Sequence, residues 1–269
     1  MIFLRNEKKI ILIKVNSKRG SAPRDCDSYM MVSEKRQCGT IGGGLLEFEA
    51  IKRARNYLIS SDFSESQTKI SLGPKLGQCC GGSVTLQFQR VNQSIRESLS
   101  YKFENDSSKL PKVYIFGAGH VGKAIARQLQ FLPLNFLLID NRPEMFEDFE
   151  LKERCKLSMI PESEIRLSSA ESAYLILTHD HALDFMLVKE ALEKNDAVYI
   201  GMIGSKTKKA RLMSWLKKNQ VAPIKNFYSP IGATGFRSSG IFKTPEVIAV
   251  MAAAEVMSAF QSAPNFNKN

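Results

Sequence analysis

The chain holds little of what several protein classes depend on. Its 269 residues include five cysteines, three histidines and one tryptophan, and no apolar run approaches the roughly 20 residues that a membrane-spanning helix needs. Five is an odd number, and Cys79 and Cys80 are adjacent. This argues against a disulfide framework and fits a reducing compartment. The first residues, Met1 to Arg5, lack the longer apolar core and cleavage site of a secretory signal, so a cytoplasmic location is expected. There is no zinc-finger spacing, RNP sequence, recurrent aromatic–basic pattern, internal repeat or low-complexity tract. Neither nucleic acid nor a membrane is an expected partner.

The hydrophobic fraction of 43% is enough for well-filled cores, and the length suits two domains better than one. The formal charge of +11 is spread along the chain, with one denser patch at Lys206, Lys208, Lys209, Arg211, Lys217 and Lys218. On a helix these residues read mostly as a solvated face, and an anionic ligand or partner is the other outlet for such a balance.

The most informative stretch runs from Val113 to Asp140. A short apolar strand leads into Gly117-Ala-Gly119-His120-Val-Gly122, then an amphipathic helix, then the strand Phe136-Leu-Leu-Ile-Asp140. Gly117 permits a tight turn, Gly119 lets a pyrophosphate approach backbone N–H groups at the helix start, and Gly122 allows close helix-to-sheet packing. Asp140 is placed to bond a ribose. Strand, turn, helix, strand and acid in this order predict a Rossmann-type fold. Taken alone, the fingerprint points to an NAD(P)-dependent oxidoreductase with His120 or His179 handling a proton. Asp140 would favour NAD, because it repels a 2′-phosphate.

Upstream, Lys9 to Val15 and Tyr29 to Val32 read as strands. Gly39-Thr40-Ile41-Gly42-Gly43-Gly44 precedes an amphipathic helix whose apolar stripe is Leu45, Phe48, Ile51, Ala54 and Leu58. Its glycines fit an anion site at a helix start and a plain turn equally well. Gln67 to Leu72 and Ser83 to Val91 read as strands around the loop Gly73 to Gly82, which carries Gln78, Cys79 and Cys80. Two thiols there suit either soft-metal or sulfur chemistry, or burial as small apolar side chains at a tight turn. A structural zinc site is not expected, because consecutive side chains diverge. Residues 104–111 are short, polar and turn-rich, and read as a linker.

Beyond Asp140 strands and helices alternate: strands at Cys155 to Met159, Ala173 to Leu177 and Ala197 to Ile200, and helices near Leu183 to Lys194, Lys206 to Lys218 and Pro245 to Phe260. Such alternation predicts a mostly parallel sheet with helices on both faces. Thr178-His179-Asp180-His181 follows a strand directly, where doubly wound sheets hold their ligands. It could bind metal or move protons, although no third ligand is evident; the other reading is helix capping by Asp180 or Asp184 beside surface histidines. Gly201 to Lys206 follows the next strand, with Ser205 as a cap and Lys206 facing an anion.

Gly20-Ser-Ala-Pro-Arg24, Gly39-Thr-Ile-Gly-Gly-Gly44 with Glu47, and Leu76-Gly-Gln-Cys-Cys-Gly-Gly82 together resemble the amino-terminal domain of the XdhC/CoxI family. Phe116 to Gly122, Thr178 to His181 with Asp184, Gly201 to Lys206, Pro230-Ile-Gly232 and Pro245-Glu246 resemble its Rossmann domain. The resemblance covers nearly the whole chain. It implies an α/β protein in which residues 1–103 form a smaller α+β domain with the Cys-Cys loop, 104–111 link, and 112–269 form a doubly wound Rossmann-like domain. It also implies an accessory protein, without turnover of its own, for xanthine dehydrogenase or a related molybdenum hydroxylase. Such a protein binds the molybdenum cofactor (molybdopterin), holds it while a cysteine desulfurase supplies the terminal sulfido ligand, and delivers it; a homodimer is the expected assembly. On this resemblance Cys79 and Cys80 become the expected metal contacts. Gln78, Arg24, Gly42, Gly43, Gly44, Glu47, Gly117, Gly119, His120, Gly122, Asp140, His179, Asp180, His181, Ser205 and Lys206 become the expected cofactor-binding set, with NAD(P) or another nucleotide as a second candidate at the Rossmann loop.

Overall fold

The computed structural model describes residues 2–19, 28–42, 44–72, 82–221, 225–232 and 244–266. The chain divides into two compact units, Met1–Asp106 and Ser107–Asn269.

The first unit is built on an antiparallel sheet in the order β3-β2-β1-β5-β4, from β1 (Ile11–Arg19), β2 (Tyr29–Val32), β3 (Gln37–Gly39), β4 (Glu65–Leu72) and β5 (Gly82–Arg90). Alternation decides its two faces, since successive strand residues point opposite ways. Ile11, Ile13 and Val15 meet Leu46, Ala50 and Ala54 of α2 (Gly44–Ile59) on one face. On the other, Ile10 and Leu12 pack with Phe3 and Leu4 of α1 (Ile2–Asn6) and Leu99 of α3 (Gln93–Lys109).

Two expectations need correction here. The stripe of α2 is Leu46, Ala50 and Ala54, while Leu45 and Phe48 are 42% and 63% exposed. Both stripes satisfy helical spacing, but the two alanines allow the closer approach to the sheet. The polar stretch expected to be a turn-rich linker is helical as far as Lys109, because α3 runs through it, and the division of the chain into two units falls within this helix. Asn92 Oδ1 accepts from Ile95 N at 2.9 Å to start α3, and Ile95, Leu99 and Phe103 form a one-sided stripe at i, i+4 and i+8.

The second unit is a six-stranded parallel sheet with helices on both faces. Its strands are β6 (Lys112–Phe116), β7 (Asn135–Asp140), β8 (Cys155–Leu157), β9 (Ala173–Ile176), β10 (Tyr199–Met202) and β11 (Phe227–Tyr228). The order β11-β10-β9-β6-β7-β8 is that of dinucleotide-binding folds, in which the strand order reverses between the first and fourth strands of the unit. Here the reversal lies between β6 and β9. On one face α4 (His120–Leu129) and α8 (Pro245–Ser262) bury Ile125, Ala126, Leu129, Ala252, Val256 and Phe260 against Ile115, Leu138 and Leu175. On the other, α5 (Pro161–Leu167), α6 (His181–Lys194) and α7 (Lys206–Lys218) cover Phe116, Ile139, Tyr174 and Ile200. Each fully buried Ile, Leu, Val or Phe among them contributes about 1.5–3 kcal/mol. Strand β10 reaches Met202, so Gly201 and Met202 are buried sheet residues rather than part of the turn expected after Ile200.

Candidate functional site

The carboxyl ends of β6, β7, β9 and β10 bring several of the expected residues together. Gly117 leaves β6 at φ +112°, and a Cβ there would lie 2.3 Å from the carbonyl oxygen of Leu177, so only glycine fits this turn. A Cβ at Gly122 would lie 1.9 Å from the carbonyl oxygen of Gly117, which is how closely α4 sits on its own turn. Gly119 differs from both. It stands at the N-cap of α4 with an ordinary φ of −72°, makes no side-chain cap, and has nothing within 4 Å of a built Cβ. No acid occupies the first turn of α4, and His120 at its first position is exposed. The positive end of this helix is therefore open to an anion.

Asp140 ends β7 and is 5% exposed. Its Oδ2 accepts from Ala118 N at 2.7 Å and from Arg142 Nη2 at 3.0 Å. Its Oδ1 accepts from Arg142 N at 3.1 Å and Arg142 Nε at 2.9 Å. Burial pushes this carboxyl up, but the Arg142 guanidinium and the Ala118 N–H outweigh it and hold the group below the usual carboxylate range. Arg142 is a participant that the sequence reading overlooked. The signal was there: residues two apart on an extended segment point the same way, and Arg142 is two beyond a strand-ending acid.

Across the crevice, Thr178 follows β9. Asp184, fully buried, accepts from Thr178 N at 3.0 Å and Thr178 Oγ1 at 2.7 Å, and its other oxygen is paired with Lys208 Nζ. Lys208 is 8% exposed and comes from α7, so this buried pair ties the loop after β9 to the loop after β10. Lys208 was read as part of a solvated face; it is instead the internal partner of an acid. Asp180 caps α6 by accepting from Ala182 N at 2.7 Å, and His179 and His181 are exposed beside it. Ser205 caps α7 by accepting from Lys208 N at 3.2 Å, and Lys206 is exposed. All three histidines of the chain thus stand exposed on two loops of one sheet end. Among the described residues, no three His, Cys, Asp or Glu side chains form a group that could hold a metal ion.

Between these loops lies a slot of about 10 Å³, lined by Gly117, Asp140, Asn141, Pro161, Thr178 and His179. A larger concavity of about 660 Å³ opens at the opposite, amino-terminal ends of β9 to β11, beside Tyr199, Tyr228 and Glu255. It shares no residue with the crevice.

In the first unit, Glu47 accepts from Thr40 Oγ1 and, at 2.9 Å, from Ile41 N, while Gly42 N donates to Thr40 Oγ1 at 3.2 Å. The turn before α2 is thus braced by a carboxylate from the first turn of that helix. Gly42 and Gly44 flank this brace. Arg24, Gly43, Gln78, Cys79 and Cys80 lie outside the described residues.

The strand order and the open glycine loop define the class: a Rossmann-type binding domain joined to a smaller antiparallel α+β unit. The chain belongs to the XdhC and CoxI family. Residues 113–256 match the XdhC Rossmann domain, and residues 3–63 match the XdhC and CoxI family profile. The chain is 23% identical over 272 residues, or 94% of its length, to the uncharacterized protein YqeB of Escherichia coli (strain K12), and spans 44% of that relative. A crystal structure of a xanthine dehydrogenase from Bacillus halodurans has the same fold, with a TM-score of 0.69 at 19% identity, covering 99% of this chain and 97% of that one. No helix among the described residues is long and apolar enough to cross a membrane.

Proposed function

We propose that this protein is an accessory protein of xanthine dehydrogenase or a related molybdenum hydroxylase. It binds the molybdenum cofactor, holds it while a cysteine desulfurase supplies the terminal sulfido ligand, and hands it to the enzyme, with no turnover of its own. Family membership supports the accessory role, and the Bacillus halodurans neighbour supports the enzyme class. The observation that carries cofactor binding is the start of α4: an uncapped helix end without an acid, approached over Gly119, which suits the cofactor's phosphate. Thiolates at Cys79 and Cys80 suit a soft, sulfur-rich molybdenum centre, which is the chemistry the cofactor itself supplies. Gln78, Arg24 and Gly43 complete the set on the first unit. The protein works in the cytoplasm as a homodimer, which light scattering on the purified chain tests.

The deciding experiment is to purify the full chain from cells that make the cofactor and to assay bound molybdenum and pterin. Both are expected with the wild type and are expected to fall away in a Cys79→Ala, Cys80→Ala double variant. If neither protein carries them, the reading fails. An NAD(P)-dependent oxidoreductase remains the competing reading from the fingerprint, and the geometry around Asp140 offers it no support.

A further inference from the structure

Folds of this strand order receive the nucleoside of a dinucleotide at the reversal point, with the ribose held by the acid that ends the second strand. Resting on the function proposed above, we infer that this crevice takes a ligand ending in a phosphate monoester and rejects one extended by a nucleoside, and that Arg142 is the residue deciding this. The ligand form is then the monophosphate pterin, and both its nucleotide-extended form and NAD(H) are excluded.

Three observations carry this. A carboxylate offers about four lone-pair positions. In Asp140 all are taken: Arg142 N and Nε on Oδ1, Ala118 N and Arg142 Nη2 on Oδ2. A ribose diol arriving with two hydroxyls to donate finds no acceptor unless Arg142 withdraws. Second, the slot between Gly117, Asn141, Pro161, Thr178 and His179 measures about 10 Å³, the space of a single water, so these loops hold no ready-made recess for a nucleobase. Third, the group offered to solvent is reversed: the Arg142 side chain is 30% exposed and that of Asp140 3%. A ligand meets a guanidinium, suited to phosphate, where a dinucleotide fold presents a carboxylate. The approach over Gly119 stays clear, so the phosphate is admitted and the nucleoside is not.

Two arms test this and separate it from the reading beneath it. In the first, the full chain is purified from cells making both cofactor forms, and molybdenum is compared with the nucleoside monophosphate released by mild acid hydrolysis. Molybdenum with little nucleotide is expected; equimolar nucleotide overturns the inference while leaving cofactor binding intact. In the second, inorganic phosphate, ribose 5-phosphate and NADH are titrated calorimetrically into the wild type and Arg142→Ala, with thermal melts confirming that both fold. The wild type is expected to bind phosphate and ribose 5-phosphate alike, and NADH not at all at about 1 mM. Arg142→Ala, which frees two positions on Asp140, is expected to favour ribose 5-phosphate over phosphate by about ten-fold. Arg142→Gln should fall between. NADH binding by the wild type, no phosphate binding by either protein, or no ribose preference in Arg142→Ala each overturns the inference. This arm uses no molybdenum, so it decides even where the first arm shows that the chain carries no cofactor.

Discussion

Two helices of this protein start from glycine-rich turns, and the two turns are finished differently. Before α2, Glu47 reaches back to Ile41 N and Thr40 Oγ1, so the protein's own carboxylate sits at the positive end of the helix. Before α4 no side chain caps, no acid lies in the first turn, and Gly119 faces open space. Glycine spacing reports that a backbone can be approached. An acid in the first turn reports whether the protein has already filled the place.

The sharpest way to break this comparison is within the α4 turn itself. Gly122→Ala puts a methyl 1.9 Å from a backbone carbonyl, and a loss of about 3 kcal/mol or more is expected, read as a lower melting temperature of the second unit. Gly119→Ala meets nothing within 4 Å and should shift stability by less than about 0.5 kcal/mol, yet lower molybdenum retention. Equal melting losses in the two variants would end the claim that Gly119 is kept clear for a ligand. Between these extremes, Glu47→Ala strips the acceptor from Ile41 N at a buried residue, and a cost of about 1–3 kcal/mol to the first unit is expected from urea unfolding. No loss would mean that the α2 turn is not closed by this carboxylate.

Asp140 gives a smaller effect confined to acid. Its folded pKa lies below the unfolded value, so its contribution is complete above about pH 3.9 and is lost as pH falls through the folded value. Asp140→Asn should therefore be less stable than wild type at neutral pH and converge with it in acid; parallel curves would contradict the Arg142 and Ala118 bonding.

Much of the second unit was legible because each signal was local. The run from Val113 to Asp140 carries strand, turn, helix and acid in register, and the helices Lys206 to Lys218 and from Pro245 lie where their caps Ser205 and Thr244 put them. What escaped depended on partners far along the chain. Lys208 reads as surface charge until Asp184, from another helix, is placed beside it. Leu45 and Phe48 form as good a stripe as Leu46 and Ala50, and only the sheet chooses between them. Residues 104–109 look like a linker because polarity alone cannot distinguish a turn from a solvated helix. For the candidate site, the sequence located the loops correctly on one sheet end but not how Asp140 is already bonded.

The packing of α4 against α8 also bears on how the chain is made. The first unit completes both of its cores from neighbouring segments, the last being α3. The glycine-loop helix packs on its neighbouring strands β6 and β7, but its other partner comes from the far end of the unit. Ala124, Ile125 and Leu129 are covered by Ala249, Ala252, Val256 and Phe260, which leave the ribosome only after nearly the whole second unit has been synthesised. The first unit can thus mature during translation, while the ligand-loop helix lacks its α8 contacts until the final helix is made, leaving part of its apolar surface uncovered in the interval. Ribosome-arrested chains ending at Thr244 should show a protease-resistant first unit and a sensitive second one; resistance in both would mean that α4 finds cover without α8.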